Sequence, residues 1–462
     1  MACTIFARLG RVLAALLAGA ALAAVLGCGA GSSDDRGAAV EQGESLSGPQ
    51  SAGEPSVEDA GAGTDGGSDG GGDGDARQPE EQSPGEGDST PLPDEVPADA
   101  SAATAEPGGS IRSTPREDVP SALRDRGHPD HPEPLIDLSE IRSGGPPPDG
   151  IPPLEDPAFE PAGEVDWLAE VEPVLALEIN GDARAYPLRI MTWHELVNGT
   201  VGGVPVTVSY CPLCNSAVAY DRRVGDRILD FGTSGELFNS SLVMYDRQTE
   251  SLWSHYTGTA VAGHLTGIEL DLIPVQTVSF RSFLSTYPQG HVLSLDTGHS
   301  RSYGQNPYEF YDSSGRPFLF SGPFDERLEP LARVLALRAD GEGAVIPLDV
   351  LAERRVVPFS FAGRELVALF EPGTASALDS RNIAEGRDVG ATGVFVRSVE
   401  GRPLDLSAST GGGFVDATTG ATYDILGRPA AQGAAALAPV EHLDTFWFAT
   451  AAFYPEAEII GQ

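Results

Sequence analysis

The chain has no lysine anywhere in its 462 residues, and only four cysteines, three methionines and four tryptophans. Arginine is therefore the only strong base, and the formal net charge is −39. That balance makes nucleic acid and anionic membrane surfaces poor partners. A Gly-rich phosphate loop, a nucleophile elbow and a paired His–Glu zinc helix are all missing. The main apolar run of the N-terminus, residues 12–26, holds about fifteen residues, short of the roughly twenty that a spanning helix needs.

That short run has another reading. Arg8 and Arg11 precede it, and it ends in "VLGC", with Gly27 before Cys28. Charge, length, small residue and cysteine fall in the register of a bacterial lipoprotein signal. The expectation is cleavage after residue 27 and lipidation of Cys28, which would be the membrane partner. Cys3 would leave with the signal, placing the mature chain in an oxidising, extracytoplasmic compartment. Gly29, rather than Asp, follows Cys28 and favours sorting to an outer membrane where the host has one.

Residues 28–119 are Gly, Ser, Asp, Glu, Pro and Ala with few aromatics, as in "GAGTDGGSDGGGDGDARQPEEQSPGEGD". Such a stretch buries too little apolar surface to offset its ordering entropy and reads as an acidic, disordered tether. Residues 120–171 are Pro-rich and read as an extended arm, with Leu135, Ile136 and Ile141 as anchors. His128 and His131 of "HPDH" read as solvated loop residues before they read as ligands.

From residue 172 the chain compares with itself. "VLALEINGDARAYPL" aligns with "VLALRADGEGAVIPL", so Pro187 meets Pro347, Cys211 meets Glu371 and Cys214 meets Thr374. "DRQTESLW" later meets "DATTGATY", and "FRSFLSTYP" meets "WFATAAFYP". Each copy is mostly short runs of alternating apolar and polar residues, with "NGD" marking a hairpin. Short helices are expected over "IMTWHELVN" and "VSFRSFLSTYP". The expected fold is mainly β (α+β with few short helices), internally duplicated, with a first repeat over 172–332 and a degenerate second over 333–462. The two halves should pack together and share a core. Trp193, His194 and both cysteines have no counterpart in the second copy, so any chemistry belongs to the first.

Cys211 and Cys214 lie in "VTVSYCPLCNSAVAYD", between two strand-like runs. Three readings stand. A disulfide staple across so short a ring gains only roughly 2 kcal/mol. A zinc or copper site lacks a second cysteine pair; His194 or His255 would have to complete it, with Cys211, Cys214 and His194 as the leading set. A redox couple suits an easily reduced short-ring disulfide, with Cys211 attacking, Cys214 resolving and His194 or Arg222 lowering a thiol pKa. Strand-like sequence after Cys214 argues against a thioredoxin fold. The redox partner is unknown. Trp193, Glu195, Ser234, Asn239, Trp253 and His255 are possible pocket residues. Ser240 joins them in "FGTSGELFNSS", whose hydroxyls more often satisfy backbone in a turn. "RSYGQNPYEFYD" links the copies and can cover the site, or simply pack.

"YCPLCNSAVAYDR" and "YDRQTESLW", with "WHE" upstream, resemble a bacterial family catalogued as domain of unknown function 3179. The resemblance spans roughly residue 172 to the C-terminus and implies no assigned reaction. It does imply that some relatives carry selenocysteine in this Cys-x-x-Cys motif, which is expected of redox chemistry and hard to explain in a staple. The long acidic tether and the Ala/Gly-rich second copy depart from typical members.

Overall fold

A computed structural model describes residues 112–461. The expected signal peptide, Cys28 and the expected tether up to residue 111 lie outside the described residues. The body is mainly β, with four α-helices among the described residues.

The first half contains β1 (Pro173–Ile179), β2 (Asp182–Pro187), α1 (Leu188–His194), β3 (Leu196–Val201), β4 (Val204–Cys211), β5 (Ser216–Asp221), β6 (Phe231–Phe238), β7 (Ser241–Asp246), β8 (Gln276–Ser279), α2 (Phe280–Thr286) and β9 (His291–Leu293). The second half contains β10 (Arg333–Ala339), β11 (Glu342–Pro347), α3 (Leu348–Arg354), β12 (Val356–Phe361), β13 (Arg364–Glu371), β14 (Ala391–Val396), β15 (Leu443–Phe446), α4 (Trp447–Phe453) and β16 (Glu458–Ile459). The order β8-β1-β2-β9 in one sheet recurs as β15-β10-β11-β16 in another. In both, the last strand pairs parallel with its neighbour while the others run antiparallel. The halves diverge after β4 and β13. A tight turn over 212–215 joins β4 to β5, whereas residues 372–390 separate β13 from β14.

β4 lies between β3 and β5, and its residues from Pro205 to Cys211 are buried on both faces. Its period-2 geometry still sorts the side chains. Val206, Val208 and Tyr210 enter one apolar cluster, while Cys211 enters another. That second cluster joins Cys211, Cys214, Tyr220 and Trp253 of the first half to Leu443, Phe446 and Phe448 of the second. The thiol turn is thus part of a core built by both halves, and burying one such phenylalanine contributes roughly 1.5–3 kcal/mol.

The helix expected over 190–198 ends at His194, because Glu195 takes a left-handed conformation (φ 59°) and the chain turns back as β3. The expected tether boundary moves as well. Glu117 pairs with Arg227 and Thr114 Oγ1 accepts the Ile228 N–H at 2.8 Å, so the arm already packs on the body there. Of the expected anchors, Ile141 is buried but Leu135 is 56% exposed.

Candidate functional site

The sequence Pro-Leu-Cys-Asn makes the turn between β4 and β5. Pro212 supplies the fixed φ that opens a turn, and its carbonyl accepts the Asn215 N–H at 3.2 Å. Asn215 closes it in the left-handed region (φ 51°). Cys211, the last residue of β4, pairs in register with Ser216, the first of β5. Both cysteines are free thiols, 2% and 0% exposed.

The turn is held from every side. Leu242 N–H points at Cys211 Sγ at 3.4 Å. Tyr311 donates to the Leu213 carbonyl at 2.7 Å. The Cys214 carbonyl accepts Thr445 Oγ1–H at 2.7 Å and Phe446 N–H at 3.1 Å, both from the second half. Tyr210 donates to Asn215 Oδ1 at 3.1 Å.

The two thiols differ in their surroundings. Cys214 Sγ lies 3.0 Å from Ser216 Oγ and 3.4 Å from Ser241 Oγ. Ser216 Oγ is in turn 2.9 Å from His255 Nε2, and His255 Nδ1 is 3.0 Å from Ser209 Oγ, which donates to the Glu195 carbonyl at 2.9 Å. His255 Nε2 also lies 3.2 Å from the Ser216 carbonyl. Burial opposes ionisation of Cys214, but hydrogen bonds from Cys211, Ser216 and Ser241 outweigh it, and this thiol falls below its ordinary value. Burial and the proton shared with Cys214 push Cys211 well above its own. Burial holds His255 neutral, pushing it down to about 3.

Glu195 brings a carboxyl to the Cys211 side. Burial, reinforced by the Cys211 charge, pushes it up to about 8, against a 3.3 Å hydrogen bond from Tyr308. Beside it opens a cavity of about 690 Å³, within the usual range of small-molecule sites. Its lining includes Glu195 and Leu242, which neighbour Cys211, and Leu213 of the thiol turn, but neither cysteine itself. Ser216, Ser241 and His255, which adjoin Cys214, are not part of that lining. Both sulfurs stay buried, and the lining reaches Cys211 through Glu195 and Leu242.

The other expected residues fall elsewhere. His194 donates from Nδ1 to the Pro152 carbonyl at 2.8 Å and its Nε2 lies 2.6 Å from the Tyr303 hydroxyl, so neither nitrogen serves the thiols. Burial pushes it down to about 4. Arg222 is buried against Asp230 and the carbonyls of Leu229 and Gly199. Trp193 bonds the Gln305 carbonyl at 3.2 Å, and Trp253 is a core residue donating to Asp246 at 2.9 Å. Ser234 donates to the Val243 carbonyl and Ser240 to that of Phe318, while Asn239 sits in the left-handed turn between β6 and β7. His131 Nε2 donates to the Pro120 carbonyl at 3.1 Å, and His128 Nδ1 accepts the Asp130 N–H at 3.2 Å. Among the described residues no group of three or more His, Cys, Asp or Glu is arranged to hold a metal ion.

Sequence reasoning passed over Ser209, Ser216, Ser241 and Thr445. Period 2 could have found Ser209, which shares the face of Cys211. Ser241 and Thr445 come from other strands and carried no local signal. The tyrosine-rich link does cover the site, since Tyr308 and Tyr311 line the cavity.

A mainly β body that encloses a Cys-x-x-Cys turn beside an open cavity defines the class of protein. Residues 148–457 match the family model described as protein of unknown function (DUF3179), and the chain belongs to that family. No curated protein and no solved structure matches it.

Proposed function

We propose that this is a lipid-anchored, extracytoplasmic dithiol–disulfide oxidoreductase in which Cys211 and Cys214 exchange electrons with a small disulfide. The observation that carries the reading is the asymmetry of the pair. One thiol neighbours a carboxyl and a leucine that line the cavity, and the other is flanked by hydroxyls, one of them tied to an imidazole.

In this reading the Cys211 thiol gives its proton to the Glu195 carboxylate as Sγ attacks a substrate disulfide R–S–S–R. The substrate S–S bond breaks, a mixed disulfide forms on Cys211, and the first thiolate leaves. The Cys214 thiolate then attacks Cys211 Sγ, forming the Cys211–Cys214 bond and expelling the second thiolate. Two thiols of the protein are oxidised and one substrate disulfide is reduced to two thiols. A dithiol reductant reverses the steps.

The test uses the full chain with Cys3→Ser and Cys28→Ser, so that only this pair remains. Cys214→Ser should accumulate a mixed disulfide on Cys211, seen as a mass adduct, whereas Cys211→Ser should not. A titration against a glutathione buffer should place the pair above about −270 mV; a disulfide that resists reduction below about −300 mV would leave only a staple. Stoichiometric copper or zinc lost on Cys211→Ser would replace the redox reading with metal binding.

A further inference from the structure

The cavity beside Cys211 carries information about its ligand. Its walls are largely apolar, with Ile151, Leu213, Leu237, Leu242, Tyr308 and Phe318 among them. The ionisable carboxyls in its lining are Glu195, Glu236 and Glu309; no arginine or histidine lines it. Glu236 uses Oε1 on Arg126, but its Oε2 is buried with no partner. Glu309 pairs with Arg381, which is outside the lining. An anionic ligand would lose its hydration here and meet no cation in the lining, with the partnerless Glu236 Oε2 buried in the cavity wall.

Size is constrained independently. Both sulfurs are buried and the turn that holds them is clamped by the second half, so a disulfide must pass the cavity lining to reach Cys211, a passage open to a small molecule before it is open to the surface of another folded protein. Apolar surface continues outward from the cavity, where Phe310 and Phe318 are 57% and 58% exposed. Phe310 is held in the left-handed region (φ 59°), between the bonded residues Tyr308 and Tyr311, so this outward posture is imposed by its neighbours.

We propose that this cavity is the substrate site and that it takes small, apolar disulfides without negative charge, a reading that rests on the redox role of Cys211 and Cys214. The exchange is the one already written: the substrate S–S bond breaks, the Cys211–Cys214 bond forms, and the substrate leaves as two thiols. Anionic peptide disulfides of the glutathione type are the substrates it disfavours.

Two aromatic disulfides of similar shape separate the possibilities: 2,2′-dithiodipyridine, which is uncharged, and 5,5′-dithiobis(2-nitrobenzoate), which is dianionic. Each releases a coloured thiol. The full chain with Cys3→Ser and Cys28→Ser is reacted with both, folded and in denaturant. The ratio of uncharged to anionic rates should be at least about tenfold larger for the folded protein. Glu309→Gln should raise the anionic reagent's rate about fivefold. Equal ratios in the folded and unfolded chain, with a Cys211–Cys214 disulfide still formed, would overturn the substrate class and leave the redox reading standing. If neither reagent touches the folded thiols while both react in denaturant, the redox reading falls and this inference with it.

Discussion

Glu195 ends α1 in a left-handed conformation, and that reversal sends it and its neighbour His194 to different surroundings. The histidine meets Pro152 and Tyr303, and the carboxyl meets Tyr308 and the charge of Cys211. With its carboxyl pushed up to about 8 by burial, Glu195 becomes a base only as the pH approaches that value. The rate of Cys211 attack on an uncharged disulfide should therefore rise through about pH 8. Glu195→Gln should remove that limb and lower the rate at pH 8 by roughly a hundredfold, leaving only the ionisation of the thiol itself. An unchanged profile in stopped-flow absorbance would exclude the carboxyl as the proton acceptor. Glu195 and His255 shape the pH dependence of stability. His255 is depressed by burial from 6.5 to about 3, so its contribution is present above pH 6.5 and is lost as the pH falls toward 3. Glu195 is raised, so its contribution is full below about 4.5 and is lost as the pH rises through about 8. Urea unfolding midpoints should fall on both sides, and Glu195→Gln should flatten only the alkaline side.

At the scale of elements, the link between the halves carries one ionic knot. Asp312, with no exposed side-chain area, pairs with Arg333 at 2.9 Å and Arg387 at 2.8 Å and accepts from Ser376 at 2.6 Å. One residue earlier, Tyr311 holds the Leu213 carbonyl inside the thiol turn. Asp312→Ala leaves the Arg333 guanidinium half-buried without its acid and should destabilise the fold by about 3–5 kcal/mol. It should also speed reaction of the thiols as Tyr311 loosens. A variant that unfolds at the wild-type urea midpoint would show that the knot contributes nothing. Much of this architecture was legible in the chain. Strand alternation and the "NGD" hairpin read correctly because β1 and β2 are local, register-forming neighbours. The thiol turn read correctly because Pro212 and Asn215 are turn formers. His255 was named as a candidate, but its link to Ser216 was not legible, and Thr445 carried no signal at all. They reach Ser216 and the Cys214 carbonyl from other elements, and single-sequence periodicity carries no information on such pairings. His194 drew attention by its nearness in sequence, but the reversal at Glu195 was invisible in composition.

At the scale of the molecule, the second half supplies support that the first lacks. Arg338 donates to the Tyr220 hydroxyl at 3.0 Å and also bonds the Tyr256 carbonyl, while Tyr256 stacks on Phe453 at 4.5 Å. A body tied in this way presents its cavity as one unit, and the proposed anchor decides where that unit works. The acidic chain has no lysine and a net charge of −39, so attraction to anionic headgroups cannot hold it at a membrane. In the proposed reading attachment comes from acyl chains. Each buried methylene contributes about 0.8 kcal/mol, and a single chain binds only reversibly, so stable residence needs the two or more chains of a lipidated Cys28. Cys28→Ser should abolish incorporation of labelled fatty acid and move the protein from the membrane pellet to the soluble fraction, while Cys3→Ser should change neither. Pelleting of the Cys28→Ser chain with undiminished label would place the attachment elsewhere. Release without loss of thiol reactivity would show that the anchor positions the redox body without taking part in its chemistry.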